Sequence, residues 1–244
     1  MPEDHFGEEF AARYDEGLGT WGHPEVIETT VEFLAGLARD GAALELGIGT
    51  GRIALPLAQR GVHVHGIDLS DAMVKRLRAK RGGDEITVTI GDFATTRVDG
   101  TFALAYVVFN TIMNLMTQDA QAACFQNVAA HLEPGGFFVV EVVVPDLQRL
   151  PFGEIFRIFD VSEGHVGIDE YDVVNQGLIS HHYNRAEDGS FRKASPPFRY
   201  VWPSELDLMA RFAGLTLRER WGDWNRVPFT RESTKHVSVW EKVR

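Results

Sequence analysis

The residues most able to do chemistry lie in ALELGIGTGRIAL, residues 43–55. There an apolar run breaks into Gly47, Gly49 and Gly51 and then resumes with helical spacing. Glycines at such a strand-to-helix turn let the backbone approach a ligand closely, and the helix start presents unpaired N–H groups. A dinucleotide fingerprint needs a glycine at the sixth position from Gly47, where Arg52 stands, so GxGxG replaces GxGxxG and the nicotinamide reading fails. Glu45, two places before the first glycine, sits where a ligand's amino group can be met directly or through water. Asp68 closes VHVHGID at 62–68, where a carboxylate can accept two hydrogen bonds from ribose hydroxyls. Gly91-Asp92-Phe93 adds a carboxylate and an aromatic suited to an adenine amino group and ring face. Together these stations suggest a nucleoside.

Such residues need elements to hold them at one edge. ALEL, VHVHGID, EITVTI ending at Ile90, FALAYVVF ending near Phe109 and FFVVEVVV read as five strands. Helical stretches separate them: RIALPLAQR, SDAMVKRLRAK opened by a Ser70 cap, and DAQAACFQNVAAHL closed by Pro134-Gly135-Gly136. Continuously apolar strands joined by helical crossovers imply a doubly wound parallel sheet buried on both faces. After Pro145 the pattern changes to RIFDV, YDVVNQG, LISHHYNR and FRYVW, split by turn signals such as Asp188-Gly189, which predicts antiparallel strands. PSELDLMARFAGL then returns to helix, and LTLRERW and HVSVWEKV supply two more strands. The expected organisation is a helical lid over 1–40, a binding core over 41–145, an antiparallel β insertion over 146–202 on the substrate side, and a closing helix with two strands over 203–244.

ELGIGTG, GIDLS, GDF and LEPGGFFVVE stand in the motif order of the class I S-adenosylmethionine-dependent methyltransferases, which the chain resembles over about residues 40–145. The resemblance implies an α/β fold with a seven-stranded, mostly parallel, Rossmann-like sheet and S-adenosylmethionine as cofactor, with S-adenosylhomocysteine as product. It implies that Glu45 and the Gly47, Gly49 and Gly51 loop hold the methionine portion and Asp68-Leu69 the ribose. Asp92 and Phe93 would hold the adenine, while Phe109 and Asn110 flank the sulfonium. More loosely, Arg13-Tyr14-Asp15 and the insertion look like those of small-molecule N-methyltransferases, including enzymes acting on amino sugars and relatives acting on peptide amino termini. Tyr14 is then a lid residue over the methyl donor. Glu141, in an otherwise apolar strand, must find a partner or face the cleft, because an unpaired buried carboxylate is costly. Glu141 and His182 are candidates to receive or relay an acceptor's proton. His181 and His182 point to opposite faces of one strand, so at most one readily faces the cleft. Trp21 and His23 are weaker candidates, and Cys124 reads as helix packing.

The 24 Lys plus Arg against 35 Asp plus Glu, a net charge of −11, argue against a surface for nucleic acid phosphates. One cysteine permits neither an intrachain disulfide nor a cysteine zinc cluster, and no histidine spacing calls for a metal. The amino terminus has no apolar run of a signal peptide, and no stretch reaches the ~18 apolar residues of a membrane span. The expectation is a cytoplasmic enzyme, monomer or homodimer, transferring a methyl group to a nitrogen or oxygen of a small molecule, without nucleic acid, membrane or metal. The competing readings are a peptide or protein amino-terminal methyltransferase and a non-catalytic sensor of the donor or its product.

Overall fold

The computed structural model describes residues 7–15, 22–186 and 188–243, and Trp21 lies outside them. At its centre is β1, Ala43–Leu46, all four residues buried. β2 (Val64–Asp68) and β3 (Thr87–Ile90) lie on one side of it, and β4 (Phe102–Val107) and β5 (Leu132–Val143) on the other. Two late strands, β11 (Leu215–Trp221) and β12 (Lys235–Lys242), complete the order β11-β12-β5-β4-β1-β2-β3. Neighbours from β3 to β5 pair in parallel, while β12 runs antiparallel to both β5 and β11.

Strand alternation divides the interior into two cores. Leu44, Leu46, Ala105, Val107, Phe138 and Val140 face α5 (Gln118–His131) and α6 (Pro203–Phe212). Ala43, Leu104, Tyr106 and Val139 face α2 (Pro24–Ala38) and α3 (Ala54–Gln59), with Leu77 of α4 (Asp71–Arg78) in the same core. Each helix begins where local chemistry allows. Ser70 Oγ accepts the Met73 N–H at 3.3 Å and Thr117 Oγ1 the Ala120 N–H at 3.1 Å, while Pro24 and Pro203 open α2 and α6, where a missing N–H costs nothing.

Between β5 and α6 a second, antiparallel sheet is formed by β6 (Phe156–Val161), β7 (His165–Asp172), β8 (Gly177–Arg185), β9 (Phe191–Ala194) and β10 (Pro197–Arg199). Its base packs on the main core through Tyr171, Leu178 and Tyr200. Arg199 anchors it further, bonded to Gln121 of α5, to Gln176, and to Glu205 of α6 at 2.8 Å.

Three expectations are corrected. β3 is not buried on both faces: it is the sheet's edge strand, with one neighbour, and Ile90 is 46% exposed. Pro134-Gly135-Gly136 does not close a helix but runs inside β5, where the pairing with β4 slips between Phe102 and Leu104. YDVVNQG is mostly turn, because Asp172 Oδ1 accepts the Val174 and Asn175 N–H groups and folds the chain back; the strand is the preceding HVGIDEYD.

Candidate active site

Strand order reverses between β1 and β4, so the loops leaving their carboxyl ends part and open a crevice, the place where open α/β sheets bind ligands. The loop after β1 is pinned to β2: the Gly47 and Ile48 N–H groups donate to the Ile67 carbonyl at 2.8 and 3.1 Å. The Gly49 N–H donates to Asp68 Oδ2 at 2.6 Å, and Asp68 Oδ1 accepts the Ser70 N–H at 2.8 Å. Asp68 thus ties the loop to the start of α4. Gly47 has φ +71°, and a Cβ there would stand 2.5 Å from Thr111 Cγ2. Gly47→Ala should therefore shift the loop and weaken donor binding by tenfold or more, roughly 1–3 kcal/mol of strain, as calorimetry would read; unchanged affinity would show that the ligand does not use this loop.

A small cavity at the crevice is lined by Tyr14, Glu45, the Gly47–Thr50 loop, Arg52, Val108, Phe109 and Thr111. Glu45 is buried on β1 beside its partner on β4, Tyr106, whose hydroxyl donates to Glu45 Oε2 at 2.9 Å. Burial pushes the Glu45 carboxyl up to about 8, opposed by the Tyr106 hydrogen bond and the Arg52 charge. Without a ligand the folded chain holds a proton that the unfolded chain has released, so this group lowers stability as pH rises from its ordinary 4.5 toward about 8. A ligand ammonium reverses the preference and expels the proton. Between pH 6 and 7 donor affinity should rise by up to about tenfold per unit, with a proton released to buffer, and Glu45→Gln should flatten the profile. Calorimetry in buffers of different ionisation heat checks this; a flat wild-type profile would separate Glu45 from the ammonium.

Beyond β4 the chain takes two consecutive positive-φ residues, Phe109 (φ 57°) and Asn110 (φ 60°), a conformation that asparagine tolerates and that is costly for phenylalanine. Glu141 and Asn110 make the hold. Glu141 Oε2 accepts the Phe109 N–H at 3.1 Å, Glu141 Oε1 accepts the Trp224 indole N–H at 2.8 Å, and Lys235 Nζ lies 3.7 Å from Oε1. Asn110 Oδ1 accepts the Val143 N–H at 2.8 Å. Burial pushes the Glu141 carboxyl up, while Lys235, the Phe109 N–H and the Trp224 indole pull it back. Glu141 is 2% exposed, stands outside the cavity lining and holds the Phe109 N–H.

The other expected residues divide. Tyr14 ends α1 (Glu8–Arg13) and reaches the cavity with its ring edge-on to Phe109, centroids 6.5 Å apart. Burial pushes its phenol up to about 12, so it stays protonated. Gly51 (φ +78°) supports the loop from below against Leu77. Leu69, 37% exposed, and Asp92, whose Oδ1 accepts the Ala94 N–H at 2.8 Å, stand at the neighbouring strand ends. Phe93 is 8% exposed, and its ring belongs to the core beneath the glycine loop. His182 is not brought to the cavity. It sits on β8, its Nδ1 3.0 Å from His165 Nε2 and its Nε2 3.2 Å from Ser180 Oγ, while His181 on the opposite face meets Glu170 and Ser195. Three functional neighbours escaped the sequence. Arg52, whose guanidinium lies 5.0 Å from the Phe109 ring centroid, was visible only as a missing glycine; Thr111 and Trp224 carried no signal.

A glycine loop at the switch point, with the Glu45 carboxylate in the cavity and Asp68 bonded to the loop, suits an adenosyl amino acid. The donor set fits: Glu45 and Arg52 offer opposite charges to its amino and carboxylate groups, and Gly47 keeps open space that a Cβ would close. A family model described as a methyltransferase domain matches residues 43–136. The chain is 37% identical to the CcbJ methyltransferase of Streptomyces caelestis, covering 98% of both chains with a TM-score of 0.88. It is 27% identical over 211 residues to the cypemycin N-terminal methyltransferase of a Streptomyces species, covering 82% of each. In fold it is also similar to CalS10, an amino pentose methyltransferase from Micromonospora echinaspora, at 22% identity, 96% and 95% coverage and a TM-score of 0.68. The chain belongs to the class I S-adenosylmethionine-dependent methyltransferases, and S-adenosylmethionine is its methyl donor.

Proposed function

We propose that the chain methylates an amine nitrogen of a small molecule. The observation supporting this is geometric: the Phe109 N–H and the Trp224 indole occupy the two Glu141 oxygens, and the Tyr14 ring stands edge-on to Phe109, so the groups nearest Phe109 are arranged to orient an acceptor. A neutral amine brings its own lone pair, whereas a hydroxyl acceptor needs a base. When bound, the donor supplies a methyl group on a sulfonium, open to in-line displacement. Glu45 and Arg52 fix the amino acid end, Asp68 the ribose, and the Asp92 carboxylate the adenine edge. Phe109, held by Glu141, walls the methyl-bearing end, and the Tyr14 hydroxyl oxygen accepts an N–H of the acceptor, aiming its lone pair at the methyl. Such positioning supplies as much as about 7–11 kcal/mol of a displacement barrier. The reading places the protein in the cytoplasm, as monomer or homodimer, without nucleic acid or membrane; no helix among the described residues is long and apolar enough to cross a membrane.

The similarity to the cypemycin N-terminal methyltransferase supports nitrogen and keeps a peptide amino terminus as the second reading. Incubation with methyl-labelled donor and a panel of amines, amino sugars, peptides and phenols tests it. Label on a nitrogen is expected. Label only on oxygen would overturn the amine assignment, and donor binding without label on any acceptor would favour a sensor.

A further inference from the structure

Six residues make α1 too short to hold itself, so contacts with the rest of the chain must place it and the Tyr14 that follows. The Lys75–Glu8 ion pair at 3.3 Å does little, being largely exposed on both sides. Asp15 does more. Its Oδ1 accepts the Thr50 hydroxyl at 2.6 Å, its Oδ2 pairs with Lys80 Nζ at 2.7 Å, and Lys80 Nζ also donates to the Thr50 carbonyl at 2.9 Å. Three residues from distant parts of the chain thus close one ring of contacts. Thr50 is 1% exposed and stands between Gly49 and Gly51, inside the loop that faces the donor.

We propose that Asp15, Lys80 and Thr50 are positioning residues that tie the segment carrying Tyr14 to the glycine loop, so that donor retention and Tyr14 placement are set together. This rests on Tyr14 being a wall of the donor site. Because the tie joins two walls of the same cavity, the donor or its demethylated product leaves more slowly with the tie made than with it broken. Burial raises the Asp15 carboxyl, but the Lys80 and Thr50 hydrogen bonds and the Lys80 charge outweigh it and hold it below the ordinary value, so the ring stays charged at neutral pH. The residues touch no reacting atom; they act through Tyr14 and the loop.

Dissociation of S-adenosylhomocysteine from the full chain, followed by stopped-flow tryptophan fluorescence, reads the tie directly. Asp15→Asn and Lys80→Met should each speed release about fivefold, since changes at a binding site are expressed mostly in the dissociation rate, and the double variant should be no faster than either alone. Tyr14→Ala should speed release similarly, and adding Asp15→Asn to it should change little, while thermal midpoints without ligand stay at the wild-type value. Wild-type release in Asp15→Asn and Lys80→Met with fast release in Tyr14→Ala would overturn the tie and leave the Tyr14 reading standing. Wild-type release and turnover in Tyr14→Ala would remove Tyr14 from the donor site and the inference with it. Multiplying effects in the double variants, or a drop in the unliganded midpoint that accounts for the faster release, would show independent or merely structural roles and overturn the proposal.

Discussion

Asp68→Ala is expected to weaken S-adenosylmethionine binding about a hundredfold or more. Two losses coincide in that substitution. The ribose hydroxyls lose a buried charged acceptor, worth about 1.5–3 kcal/mol. The glycine loop loses the 2.6 Å hydrogen bond from Gly49, and the helix start loses the 2.8 Å one from Ser70, so the cradle itself is no longer held to β2 and α4. Asp68→Asn should lie between alanine and wild type, since one oxygen survives while its new amide hydrogens oppose the N–H group they face. Titration calorimetry with the demethylated product measures this, and an affinity within twofold of wild type for the alanine variant would take Asp68 out of the donor site.

Glu141→Gln should lower the thermal midpoint by about 5–10 °C and reduce turnover along with it. The amide offers one acceptor oxygen where the carboxylate accepts from both the Phe109 N–H and the Trp224 indole, so one buried donor is left facing an NH2 group, and Lys235 loses its counter-charge. Losses of this kind cost about 2–4 kcal/mol, and each kcal/mol is worth about 2–4 °C in a chain of this size. Released from Glu141, the left-handed Phe109-Asn110 pair should relax, so donor affinity falls too. Turnover lost at full thermal stability and full donor affinity would instead return Glu141 to direct proton handling.

The main sheet and the donor loop were legible because both are local. The glycines follow one strand directly, Ser70 caps the helix that it precedes, and apolar runs with helical crossovers fix a parallel sheet. What escaped depends on partners far along the chain. Glu141 meets Trp224, which lies in the long connection between β11 and β12 and follows no periodicity. His182 is turned toward His165 by the β7–β8 register, which pairs it with Gly167, and β7 itself was obscured by that glycine. A Cβ on Gly167 would stand 2.3 Å from the Phe159 ring, so the residue that weakens the strand pattern is the one that makes room for the neighbouring aromatic.

A crystal grown with saturating S-adenosylhomocysteine addresses donor placement most directly. Its ribose hydroxyls should lie within hydrogen-bond reach of Asp68, its amino group against Glu45 and its sulfur beside Phe109. Density for the molecule elsewhere on the chain, or a rim left free of it at millimolar concentration, would contradict the donor site described for this fold.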